Sequence, residues 1–149
     1  VGLAQFERIN GIVERRIAVA KMFDEAIQGC DWIVPQYIPE EYKHSHYTYS
    51  FEYKGLKMLG ISWKDFYNMY IEMGGDGFYS ACMVPYLEPV FQNNAKYKNT
   101  YIKGMCPVSE DLQKKIMQFK TNYRSLPEAR IKANILKALI DKLGRKNNG

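Results

Sequence analysis

The chain has 149 residues, of which 46% are apolar and 25% charged, and a net charge of +5. That length and balance suit one globular domain with a core of its own, and they exclude a disordered or fibrous chain. No apolar run approaches the roughly 20 residues of a membrane-crossing helix, and no basic segment leads into an apolar core as in a signal peptide.

Cys30, Cys82 and Cys106 are odd in number, far apart and in no CxxC pair. Reduced thiols in a cytoplasmic setting are therefore expected rather than a disulfide framework. Much of the positive charge lies in the last third, from Lys114 to Lys146, where it suits the outer faces of helices. Charge alone does not point to nucleic acid. The chain starts at Val1, already inside a helical pattern, so a piece of a longer polypeptide is expected.

Leu3, Phe6, Ile9, Val13, Ile17, Ala20, Phe23 and Ile27 recur at three- and four-residue spacing and predict one long N-terminal helix, with Gly29 to stop it. Some 25 residues at 1.5 Å each would make it about 37 Å long, more than so small a domain spans. One end should pack on something outside these residues. We therefore divide the chain into a linker helix, 1–29, and a small domain, 30–149.

His44 to Tyr53 alternates with the period of a strand. Tyr47, Tyr49, Phe51 and Tyr53 face the core, while His46, Thr48, Ser50 and Glu52 face water or a partner. His44 and His46 form an H-x-H pair, but no further ligand stands nearby, so no metal is expected. Ser62 to Met73 predicts a second helix, with Ser62 as N-cap and Asp65 at N3.

The centre of the chain is Gly74-Gly75-Asp76-Gly77, a turn rich in conformationally free residues. An apolar run, Phe78 to Val84, follows and predicts a short strand, and Pro85 and Pro89 close it. Asp76 is read as a turn former before a general base, and Cys82 as a buried thiol before a nucleophile. Ser109 should cap a helix from Glu110 to Phe119 with Leu112, Ile116 and Phe119 inward. Pro127 to Leu143 should form the last helix, its stripe being Ile131, Ile135, Leu136, Leu139 and Leu143. The fold class is thus α+β: a small antiparallel sheet of about three strands packed against helices, after a long N-terminal helix.

No P-loop, dinucleotide fingerprint, HExxH or GxSxG is present. The chain offers phenols and hydroxyls instead, among them Tyr47, Tyr49, Tyr79, Ser80 and Tyr86, which suit a polyol or a nucleotide.

Four ordered motifs carry a resemblance. Leu3-Ala4-Gln5-Phe6-Glu7-Arg8-Ile9 with Val13-Glu14-Arg15-Arg16 resembles the long helix that leaves the large domain in DegT/DnrJ/StrS-type sugar aminotransferases. His44-Ser45-His46-Tyr47 is similar to a strand opening of that family. Residues 74–91 stand where it has a glycine turn, a strand and Gln-Pro-x-Tyr, here Glu88-Pro89-Val90-Phe91. Cys106-Pro107-Val108-Ser109-Glu110 resembles its Cys-Pro-x-Ala-Glu.

The resemblance spans residues 2 to 143. It implies the C-terminal small domain of a pyridoxal-phosphate enzyme of the aspartate-aminotransferase fold. Such an enzyme moves an amino group from glutamate or glutamine onto a keto-sugar nucleotide. It also implies that the cofactor-bearing lysine and the other catalytic groups lie upstream, so that these residues bind no cofactor and are inactive alone. The implied partners are the chain's own large domain, a second copy in a homodimer and the nucleotide sugar. The implied sugar contacts are His46, Tyr79, Ser80 and Tyr86.

Departures occur at Ser80-Ala81, where many members have His-Tyr, and at Tyr86, where they have a second His. They put the identity of the sugar in question. A dehydratase variant of the family, with His in place of the lysine, would share this small domain. The competing reading is a free-standing basic α+β module for nucleotides or RNA.

Overall fold

A computed structural model describes residues 2–77, 79–80, 84–97 and 99–144, with residues 79–80 described in their backbone. The elements in order are α1 (Gly2–Phe6), α2 (Ile9–Ile27), β1 (Ile33–Pro35), β2 (Thr48–Tyr53), α3 (Gly55–Leu59), α4 (Trp63–Glu72) and β3 (Tyr79–Ser80). A 3-10 turn (Pro85–Leu87), α5 (Pro89–Gln92), α6 (Pro107–Leu112), β4 (Ile116–Lys120) and α7 (Leu126–Leu143) follow.

The four strands form one antiparallel sheet in the order β1-β2-β4-β3. The expected α+β class holds, with one more strand than the expected three. The alternation in β2 sorts its faces: Tyr49, Phe51 and Tyr53 are buried, and Thr48, Ser50 and Glu52 half-buried. In β4 Met117 and Phe119 lie opposite Phe51 and Tyr49, so their side chains share the apolar face.

Three helices cover that face. Phe119 stacks on Phe23 of α2 at 4.9 Å and on Phe51 at 5.0 Å, and meets Tyr70 of α4 at 5.4 Å. Trp32 and Phe66 meet edge to face at 5.5 Å. Ala129, Ala133, Leu136, Leu139 and Ile140 of α7 complete the same core. Burial of each large side chain here contributes about 1.5–3 kcal/mol.

The helix starts follow local chemistry. Ser62 Oγ accepts from Asp65 N–H at 3.1 Å and donates to Asp65 Oδ2 at 2.6 Å. Ser125 caps α7, with Pro127 in its first turn.

Four expectations need correction. The N-terminal helix is broken at Glu7 and Arg8 into α1 and α2. The segment read as a helix to Phe119 ends at Leu112, and 116–120 is β4, paired with both β2 and β3. The segment 44–47 is not strand: His46 has φ 47°, a left-handed conformation that ends the alternation, and Tyr47 is 78% exposed. On α7, Ile131 faces out and Ala129, Ala133 and Ile140 belong to the buried stripe. Of the strand expected from Phe78 to Val84, Tyr79–Ser80 is strand, while Val84 is not and instead precedes the 3-10 turn. Residue 78 and residues 81–83, Cys82 among them, lie outside the described residues.

Candidate functional site

Three loops meet where β2 begins and β4 ends. The pairing of Thr48 with Lys120 brings these strand ends together. Just before Thr48, the hydroxyl of buried Thr121 lies 2.6 Å from His46 O and 3.0 Å from Tyr47 O. Arg16 of α2 donates to Tyr47 O at 2.7 Å, with its guanidinium 5.1 Å from the Tyr47 ring centroid. The His44–His46 rings pack edge to face at 4.4 Å, and His46 N–H donates to His44 Nδ1 at 3.0 Å. A half-buried histidine is thereby held in a left-handed backbone conformation that is uncommon outside glycine.

His46 lines a cavity of about 500 Å³ together with Asp24, Gln36, Tyr49 and Ser50. Tyr49 donates to Asp24 Oδ1 at 2.6 Å. Burial first, and then the Asp24 carboxylate, raise the Tyr49 phenol above its ordinary range. Burial and the neighbouring His44 lower the His46 imidazole, and Asp24 opposes them. These surroundings favour the uncharged imidazole of His46, which can donate from one nitrogen and accept at the other. Among the described residues no group of three or more metal-ligating side chains occurs.

The glycine turn closes the other side of the same sheet end. Gly74 has φ 89°, and a Cβ on Gly75 would stand 2.6 Å from the Tyr70 ring, so glycine fits both places. Asp76 Oδ2 lies 2.8 Å from Lys120 Nζ and Oδ1 3.4 Å from Lys132 Nζ, while Lys132 donates to Gly74 O at 2.8 Å. Burial acts to raise the Asp76 carboxyl. Hydrogen bonds from Lys120 and Tyr123, with the charges of both lysines, outweigh it and hold the group below its usual range. Asp76 therefore anchors the turn that leads into Tyr79 and Ser80. The backbone of those two residues pairs with Gln118 and Met117 of β4; their side chains lie outside the description.

Tyr86 has a different setting. Its hydroxyl donates to Glu110 Oε1 and accepts from Cys106 N–H at 2.9 Å, and Gly104 N–H donates to the same carboxylate oxygen at 2.6 Å. Partial burial first, and then the bond to Glu110, push the Tyr86 phenol up to about 12. Gln92 Nε2 reaches Tyr86 O at 2.5 Å and Tyr101 O at 2.9 Å. Tyr86 thus ties the 3-10 turn to the start of α6. Cys30 is buried and Cys106 exposed, and neither is in a disulfide.

Sequence reasoning missed Asp24, Arg16, Lys120 and Thr121. Arg16 ends the Val13–Arg16 motif but was not read as a site residue, the other three stand in no motif, and each acts on a residue distant in the chain. The one local clue was the alternation of Met117 and Phe119 with Gln118 and Lys120, which marks β4 and would have placed Lys120 beside Thr48.

No protein-family model and no curated protein sequence matches this chain. Solved structures do match it. The aminotransferase from Psychrobacter cryohalolentis superposes with a TM-score of 0.72 at 17% identity, over 95% of this chain and 38% of its own. A protein described as a sugar aminotransferase from Streptococcus pneumoniae, in its PMP form, gives 0.68 at 16% identity over 96% of this chain and 34% of its own. A DegT DnrJ EryC1 StrS aminotransferase from Brucella abortus gives 0.60 at 19% identity, over 91% and 33%. The chain spans about a third of the length of these structures. It has the fold of that third of a DegT/DnrJ/EryC1/StrS-type aminotransferase.

Proposed function

We propose that this chain is the C-terminal small domain of a pyridoxal-phosphate aminotransferase of the DegT/DnrJ/StrS kind. Its reaction moves an amino group from glutamate or glutamine to a keto-sugar nucleotide, in the making of amino sugars for polysaccharide or lipopolysaccharide. One observation carries the reading: a fold match over 91–96% of this chain that takes up only 33–38% of each aminotransferase. The four ordered motifs in the sequence support it independently.

In this reading the chain itself does not hold the cofactor. Lys54, Lys115, Lys120 and Lys132 are all committed to Glu52, Asp111 or Asp76. Covalent attachment of the cofactor needs a primary amine, and these four ammonium groups are held in ion pairs. In this reading the lysine belongs to an upstream large domain, α1 and α2 lead out of that domain, and the whole enzyme works as a cytoplasmic homodimer. The part of this chain is to cover the sugar. His46 sits in a cavity with hydrogen-bonding neighbours, Asp76 positions the turn before Tyr79 and Ser80, and Tyr86 fixes the segment that follows.

The upstream coding sequence gives a direct test. It should encode a large α/β domain with a candidate lysine, and the complete protein should transfer an amino group to a nucleotide-linked keto sugar. A gene product consisting of these residues alone, or a complete protein that dehydrates the sugar without taking up an amino group, would overturn the reading.

A further inference from the structure

A second groove lies between α3, the start of α4 and the segment joining α6 to β4, with a volume of about 720 Å³. That is within the range of small-molecule sites. Trp63, Tyr53 and Leu56 give it ring and apolar surface, and Leu56 is 64% exposed. Lys54, Lys57, Lys114 and Lys115 stand around them, with Glu52 and Asp111 as the acids. Four ammonium groups less two carboxylates leave a charge of +2. Both acids are already paired, Glu52 with Lys54 at 3.4 Å and Asp111 with Lys115 at 2.5 Å. Among the described residues Lys57 and Lys114 are in no ion pair, and both are exposed.

We propose that this groove binds a nucleotide-type anion, with its planar ring against the Trp63 indole and its phosphate held by Lys57 and Lys114. A purely apolar ligand would leave the unpaired lysines without a role, and a bare anion would not use the indole and Leu56. A base offers a face for stacking, and lysine serves phosphate as a mobile point charge. Lys64 Nζ, 5.9 Å from the Trp63 ring centroid and 4.6 Å from that of Tyr67, adds positive potential at the same edge. The proposal does not depend on the aminotransferase reading.

Tryptophan fluorescence and calorimetry test it, with UMP, AMP, uridine and inorganic phosphate as probes. The only other tryptophan of the chain, Trp32, is fully buried, so the quench that Trp63→Phe abolishes reports the groove. UMP or AMP should quench saturably and bind at least about tenfold more tightly than uridine or phosphate alone. Lys57→Glu with Lys114→Glu should weaken binding by about tenfold or more, as should raised salt. Both lysines are exposed, and circular dichroism checks that the double variant folds. Absence of saturable binding by both nucleotides would overturn the proposal. So would phosphate binding as tightly as the nucleotides, or a double variant with unchanged affinity.

Discussion

Lys120, the last residue of β4, holds Asp76 of the glycine turn across 2.8 Å, and the same carboxylate meets Lys132 of α7 at 3.4 Å. A turn of small residues, which has little apolar surface to bury, is thus pinned to the sheet and to the last helix by charge. Asp76→Asn keeps the shape but removes the charge, and should cost roughly 1–2 kcal/mol in urea unfolding. A loss under about 0.3 kcal/mol would mean that the ion pairs are screened by solvent to the level of surface pairs.

The sign of the pH effect follows. The folded state lowers the Asp76 carboxyl, so its contribution is complete above the unfolded value of about 3.9 and is lost as the pH falls through the folded one. From about pH 4 downward the wild type should lose stability more steeply than Asp76→Asn. Parallel curves for the two proteins would remove Asp76 from the acid response.

At high pH the tyrosines act in the opposite direction. Burial, the largest cause for each, raises the phenols of Tyr49, Tyr53, Tyr70 and Tyr123, so the folded state favours their neutral form. Their contribution is complete below the unfolded value of about 10 and is lost as the pH rises beyond it. Spectrophotometric titration should show these four phenols ionising together with unfolding. Smooth ionisation of all twelve tyrosines of the chain while it stays folded would contradict this.

Phe119 sits where α2, α4 and the sheet converge, 2% exposed and in contact with three other rings. Phe119→Ala should cost about 3–5 kcal/mol, whereas Ile131→Ala, on the exposed face of α7, should stay within about 0.5 kcal/mol. Denaturant midpoints of the two variants separate these outcomes.

Much of this architecture is legible in the residues, and the exceptions have physical causes. Helices α2, α4 and α7 declare themselves by apolar spacing, and Ser62 with Asp65 marks a helix start that the structure keeps. The segment 112–119 deceives because Leu112, Ile116 and Phe119 fit a helical stripe while residues 116–120 also alternate. For so short a run the period decides nothing, and pairing with β2, more than sixty residues away, decides it. His46 illustrates the opposite failure: its local pattern is that of a strand, but Thr121 and Arg16 hold the neighbouring carbonyls in a tight bend. The Asp24–Tyr49 bond spans 25 residues, and nothing near either residue in the sequence announces it.

The central proposal meets its most direct test in the absorbance of the complete gene product after incubation with pyridoxal phosphate, followed by glutamate or glutamine. A cofactor band in the visible that is bleached by the amino donor and restored by a nucleotide-linked keto sugar is the predicted result. These 149 residues alone should give no such band. A stable band from this chain by itself, or a complete protein whose spectrum ignores the amino donor, would contradict the assignment of this chain as the small domain of an aminotransferase.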